Sequence, residues 1–324
     1  MKFSKTEVAR QYRTKYGPDM PSLKLARIMH KEERGLFDTL DAARSRLRAI
    51  EGKMGDKSSA SHEHPERPKN PYNLPQSDEA VYDPYVMQGK RIMVMSDIHI
   101  PYHSIEAITI WFDWAKKEKP DTILLNGDTI DMFQLSRFCK EPKKRSFAQE
   151  LEAFKSFFQI LQKTFGAKIY FKLGNHEERY NHYLWMKAGE LEGVNEFKLE
   201  EIIKARAEGI EVIGDKRIIL AGELNIVHGH EFGGGIFSPV NIARGLFLRA
   251  KTSALQGHNH QTSEHTESNM RGKITTTWST GCFSELHPAY LPINKWNWGG
   301  CMVEVDDDGN FEVRNKRIFN GKVY

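Results

Sequence analysis

Apolar residues recur every three or four positions across the first fifty residues of the chain. Ser4 precedes Val8 and Ala9 with Glu7 three places on, a helix-start pattern, and Tyr16-Gly17-Pro18 stops that helix. Leu23, Leu25, Ala26 and Met29 predict a second helix over 22–30. Phe37, Leu40, Ala43, Leu47 and Ile50 predict a third over 36–51. From 54 to 89 the period vanishes into Ser, Pro, His and charged residues, which reads as a linker. Beyond it, short apolar runs at 91–95, 122–125 and 168–173 read as buried strands. Helical periods over 104–117 and 147–165 separate them. Further short runs stand at 224–227, 252–255 and 273–278. A hairpin, 301–305 with 311–317, closes on Asp306-Asp307-Asp308-Gly309-Asn310. Strands alternating with helices, then more strands, predict a layered α/β domain over 90–324 behind a small helical module over 1–53.

Composition narrows the class. With 18 Phe, 11 Tyr and 6 Trp the chain can bury a large core, so global disorder is excluded. No apolar run approaches the ~18–20 residues that span a bilayer, so no membrane partner is expected. The first seven residues turn polar at once and carry no secretory pattern. Cys139, Cys282 and Cys301 stand far apart and form neither a zinc cluster nor a disulfide framework, which suits the cytoplasm. Net charge is +4, but residues 1–57 alone hold 14 Lys/Arg against 8 Asp/Glu. Such a basic module, with Arg44, Arg46 and Arg48 near its end, predicts affinity for the phosphates of DNA or RNA. A docking or dimerisation bundle is the alternative, and the oligomeric state is left open.

The residues just past each apolar run carry the chemistry. The first run ends in Ser96-Asp97-Ile98-His99, the second in Asn126-Gly127-Asp128-Thr129-Ile130-Asp131, and the third in Gly174-Asn175-His176-Glu177. Later runs end in His228-Gly229-His230 and Gly257-His258-Asn259-His260. Open α/β sheets hold ligands past the carboxyl ends of their strands. Any one block is commonplace, but five together supply Asp97, His99, Asp128, Asn175, His228, His258 and His260. Oxygen and imidazole donors without thiolate suit Mn, Fe, Zn or Co and disfavour copper. Seven donors exceed one ion's need, so two ions about 3.5–4 Å apart are expected.

The ordered set Asp-x-His, Gly-Asp-x-x-Asp, Gly-Asn-His-Glu, His-Gly-His and Gly-His-x-His resembles the calcineurin-like metallophosphoesterases from about residue 91 onward. The resemblance implies a four-layer α/β–β/α sandwich. It implies two divalent ions, manganese first with Fe, Zn or Ni tolerated. Asp97, His99 and His260 would bind one ion and Asn175, His228 and His258 the other, with Asp128 shared. His228 is preferred to His230, because the histidine directly before glycine is the family's ligand. The ions would lower the pKa of a water held between them, and His176 would protonate the leaving oxygen, oriented by Asp131. Arg179 and His103 are candidates for contacting substrate. Met132-Phe133 stands where serine/threonine phosphatases have Arg-Gly, which weakens that substrate class. The expected activity is therefore phosphodiesterase or nuclease. Phosphomonoesterase is the alternative, and a nucleic-acid adaptor with a vestigial metal site comes third.

Overall fold

The computed structural model describes residues 4–18, 20–53, 72–75, 83–137, 146–214, 216–233 and 240–324. Most of the expected linker and Cys139 lie outside these residues. The chain divides into two compact units, Met1–Glu79 and Ala80–Tyr324.

Three helices build the first unit: α1 (Lys5–Tyr16), α2 (Ser22–Glu32) and α3 (Leu40–Ile50). Ser4 and Glu7 form the anticipated reciprocal cap. The third helix starts four residues later than its apolar period suggests, because the Thr39 hydroxyl accepts the Ala42 N–H at 3.1 Å and caps it there. Val8, Ala9, Leu25, Ala26, Met29, Phe37, Ala43 and Leu47 form one small core. The Glu51 carboxylate ties the ends together, accepting from Arg13 and from the Ser22 hydroxyl.

Two sheets make the second unit. The seven-stranded sheet runs β13-β12-β11-β2-β3-β4-β5. Its centre is β2 (Arg91–Met95), β3 (Thr122–Asn126), β4 (Lys168–Lys172) and β5 (Glu211–Ile213), all parallel. The hairpin of β11 (Gly299–Val305) and β12 (Phe311–Phe319) adds antiparallel to β2, and β13 (Lys322–Val323) closes that edge. The six-stranded sheet runs β1-β6-β7-β8-β10-β9: β1 (Tyr85–Val86), β6 (Ile219–Ala221), β7 (Leu224–Ile226), β8 (Ala254–Gln256), β10 (Ile274–Ser279) and β9 (Ser263–Ser268). Tyr85–Val86 pair with Ile219–Leu220, so the last residues assigned to the linker belong to this sheet.

Strand alternation sorts the core. Met93 and Met95 face α4 (Ile105–Glu118) and α5 (Phe147–Phe165), packing on Trp111, Phe154 and Phe158. Ile92 and Val94 point the other way and meet Ile219, Ile226, Leu255 and Trp278 of the second sheet. On that sheet's far side Val227 and Ala254 pack on Leu246 of α8 (Ile242–Ala250). Helix, sheet, sheet, helix: the four-layer sandwich is present. Three short helices escape the sequence pattern, α8 and also α6 (Glu178–Lys187) and α7 (Leu199–Ile202). The latter two bury one residue each, so their apolar period is faint.

Candidate metal centre

Parallel pairing carries the C-terminal ends of β2, β3 and β4 to one edge, and those of β7 and β8 likewise. The loops there are laced together. Asp97 N–H donates to Gly127 O at 3.1 Å, His99 N–H to Asp128 O at 2.9 Å, and Gly257 N–H to His228 O at 2.9 Å. Asn126 joins the two sheets, since its amide donates to Val227 O while its carbonyl accepts from His228 Nδ1 at 2.7 Å.

Three groups of ligand atoms each lie within 4.8 Å: Asp97/His99/His260, Asp128/His228/His258 and His99/Asp128/His176. The structure thus brings six of the seven expected ligands into overlapping clusters. Asn175 adjoins them, because the next residue's N–H donates to Asp128 Oδ1 at 2.9 Å. His230 turns away to Glu178 Oε1 at 3.0 Å. His103 pairs through its backbone with Ser284 and belongs to none of these groups.

The backbone is bent to deliver these atoms. Asp97, His99, Asp128, His258 and His260 all have positive φ, between 51° and 67°. Left-handed non-glycine residues are uncommon and concentrate at functional sites, because the strain must be held by surrounding structure. Gly174 is needed for a different reason. A Cβ there would collide with the Asp128 carboxylate and its N–H.

Donor chemistry decides whether cations fit. His228 Nδ1–H donates to Asn126 O, so its Nε2, which faces Asp128 Oδ2 at 3.3 Å, is the ring atom left to carry a proton or a cation. His99 Nδ1 is similarly committed to Asp131 Oδ2 at 3.1 Å, leaving its Nε2 against His260 Nε2 at 3.2 Å. Among the described residues, Asp97 Oδ1, Asn175 Oδ1, His228 Nε2 and His258 Nδ1 are buried without a hydrogen-bond partner. Buried acceptors facing acceptors cost energy unless a proton or a cation lies between them. The charges agree. Burial opposes ionisation of His228 and His260, yet Asp128 and Asp97 respectively outweigh it and push each up to about 10. Burial and the His228 charge instead push His258 down to about 4. Asp128 is held well below the usual carboxylate range, since His228 and His176 outweigh its burial. The residues fit a pair of divalent cations.

Beside the cluster, His176 Nδ1 donates to Asp131 O at 2.9 Å, and Arg179 reaches both His176 Nε2 and Asp131 O, at 2.9 and 2.8 Å. His176 is raised above its ordinary value, the Asp128 and Asp131 charges outweighing burial and Arg179.

Sequence reasoning missed the supports. Glu177 accepts four backbone N–H groups, from Asp128, Thr129, Ile130 and Gly174, at 2.8–3.1 Å, and so fastens two ligand loops together. Glu231 accepts from His228 N–H and Gly229 N–H at 2.8 and 2.6 Å and pairs with the buried Lys172 Nζ at 3.0 Å. A lysine inside an apolar strand run was the available signal, because such a charge requires a partner.

Comparison with known proteins agrees with this geometry. The calcineurin-like phosphoesterase family model matches residues 90–269, more than half of the sequence. The chain belongs to that family. Gene 54 protein of Mycobacterium phage L5 is 27% identical over 180 residues, 53% of this chain and 70% of that protein. The protein of the same name in Mycobacterium phage D29 is also 27% identical over 180 residues. Among solved structures, wild-type Vps29 complexed with zinc from Entamoeba histolytica is similar over 72% of this chain and 96% of its own, at 14% identity and TM-score 0.38. A dimetal phosphatase from Danio rerio is similar over 70% and 96%, at 10% identity and TM-score 0.38.

Proposed function

We propose that this protein is a dinuclear metal-dependent phosphoesterase that hydrolyses phosphodiesters of nucleic acid or nucleotides. The observation that carries the reading is the convergence of thiolate-free oxygen and imidazole donors where the strand ends of the two sheets meet. Asp97, His99 and His260 would hold one cation, Asn175, His228 and His258 the other, and Asp128 both. When bound, such cations, of which manganese is the first candidate, supply Lewis-acid polarisation of the phosphoryl oxygens and activation of water.

The chain's own residues do the rest. Asp131 orients two histidines, with Oδ2 3.1 Å from His99 Nδ1 and 3.4 Å from His176 Nδ1. His176 then presents Nε2 toward the site, where it hands a proton to the departing oxygen. Arg179, tethered at Asp131 O, offers its guanidinium to a phosphate and leaves His176 Nε2 when it does so. His103, four residues after His99, would be a second contact for substrate.

Nucleic acid would also be engaged by the first unit. Arg44, Arg46 and Arg48 are all exposed on α3, with Arg46 donating to the Thr6 hydroxyl at 3.4 Å and Arg48 to Lys53 O at 3.2 Å.

Bis-p-nitrophenyl phosphate and p-nitrophenyl phosphate, each assayed with Mn²⁺ and with EDTA, test the reading. Mn²⁺-dependent cleavage of the diester is expected. Cleavage of the monoester alone would replace it with the phosphomonoesterase reading.

A further inference from the structure

Exposed aromatic rings flank the metal centre at both of its ends. On the His260 side, the Trp296 ring packs 4.1 Å from the His260 imidazole and stands 6.4 Å from Tyr290. Tyr290 is 77% exposed. The segment bearing both rings is tied to itself. Asn294 Nδ2 donates to Leu286 O and Leu291 O at 2.6 and 2.9 Å, and Trp296 N–H donates to Asn294 Oδ1 at 2.9 Å. The Tyr290 ring is therefore carried on a braced loop.

On the Asn175 side lies a cavity of about 530 Å³ whose wall includes Asn175, Arg179, His182, Trp185 and Met186. Trp185 is 56% exposed, yet its Nε1–H is held by Glu192 Oε2 at 2.8 Å and its face leans on His182 at 5.4 Å. The helix beneath is anchored by Tyr180, buried, with its hydroxyl donating to Phe197 O at 2.7 Å.

His260 and Asn175 are assigned to different ions; Trp296 packs on the first, and Trp185 and His182 share a cavity wall with the second. A phosphate held by the ions would thus have a ring group near each ion. We propose that Tyr290 with Trp296, and Trp185 with His182, are stacking platforms for the nucleobases on either side of the scissile phosphate. The substrate is then a single strand, because paired bases are stacked on one another and turned inward, while unpaired bases offer their faces to aromatic side chains. Stacking on such platforms is indifferent to base identity, so cleavage would show little sequence preference.

This inference rests on the diesterase reading but can be tested apart from it. Full-length protein in EDTA, which prevents turnover, is titrated into a 5′-fluorescein oligothymidylate and into an abasic strand of equal phosphate count, followed by anisotropy. Equal phosphate charge cancels the electrostatic part of binding, including any contributed by the first unit. The base-bearing strand should bind about 10-fold or more tightly. Trp185→Ala and Tyr290→Ala should each cut that ratio by about 5-fold or more, while Trp185→Phe and Tyr290→Phe preserve most of it. Equal affinity of the wild-type protein for the two strands overturns the proposal. So does an undiminished ratio in the alanine variants, or a Trp185→Ala effect confined to self-association in sedimentation. Methyl p-nitrophenyl phosphate, a diester without a base, separates the two ideas. Its Mn²⁺-dependent hydrolysis alongside equal strand affinities would retire the platforms and leave the diesterase standing. A base-dependent affinity without any diester cleavage would retire the diesterase and, with it, the placement of the platforms about a scissile phosphate.

Discussion

His176 is the residue whose removal separates binding metal from using it. His176→Ala should leave two metal equivalents per chain by elemental analysis but lower turnover about 100-fold or more for diesters with poor leaving groups. Unchanged turnover would remove His176 from proton transfer. Gly174→Ala asks the opposite question, because its Cβ would strike the Asp128 carboxylate that both ions are proposed to share. Mn²⁺ affinity measured by titration should fall by about 10-fold or more. Asp97, His99, Asp128, His228, His258 and His260 were all legible from residue type and strand-end position. Glu177 and Glu231 were not, because a carboxylate that caps backbone N–H groups looks like any other acid until the loops it joins are seen together.

At the scale of elements, two buried charges inside regular structure give measurable consequences. Lys172 on β4 is fully buried against Glu231, whose own pKa is brought down to about 2 because the Lys172 charge and backbone N–H groups outweigh burial. Lys172→Met strands that carboxylate and should cost about 3–5 kcal/mol in urea unfolding at neutral pH. Glu150 on α5 is 0% exposed, and burial followed by the Asp131 charge pushes it up to about 7 from 4.5. A raised carboxyl pKa means the folded state takes up the proton first. Stability from this group is therefore intact below about pH 4.5 and falls as pH climbs through 7, by up to about 3 kcal/mol. Glu150→Gln should remove that slope, so its stabilising effect in urea unfolding grows from pH 5 to pH 8. A variant with the same pH dependence as the parent would contradict this assignment. The helix over 147–165 was legible to the residue from its apolar period, but nothing in that period marked Glu150 as buried.

For the whole molecule, the two units have separate cores, so they can be tested separately. Removing residues 1–53 should weaken double-stranded DNA binding and flatten its salt dependence, while the remaining chain still cleaves bis-p-nitrophenyl phosphate. Equal DNA affinity after truncation, read by electrophoretic mobility shift, would end the nucleic-acid role of the first unit. No helix among the described residues is long and apolar enough to cross a membrane.

Sequence alone placed the candidate donors at the strand ends, because metal chemistry restricts residue types and parallel strands restrict where those residues fall. It also determined the layered class, since buried strands and one-sided helices write different periods. Only the tertiary structure decided which lone pairs oppose one another, that five of the donors sit on left-handed backbone, and which rings border the centre. Those facts depend on distances between segments more than a hundred residues apart, such as His99 and His260, and no local pattern encodes them.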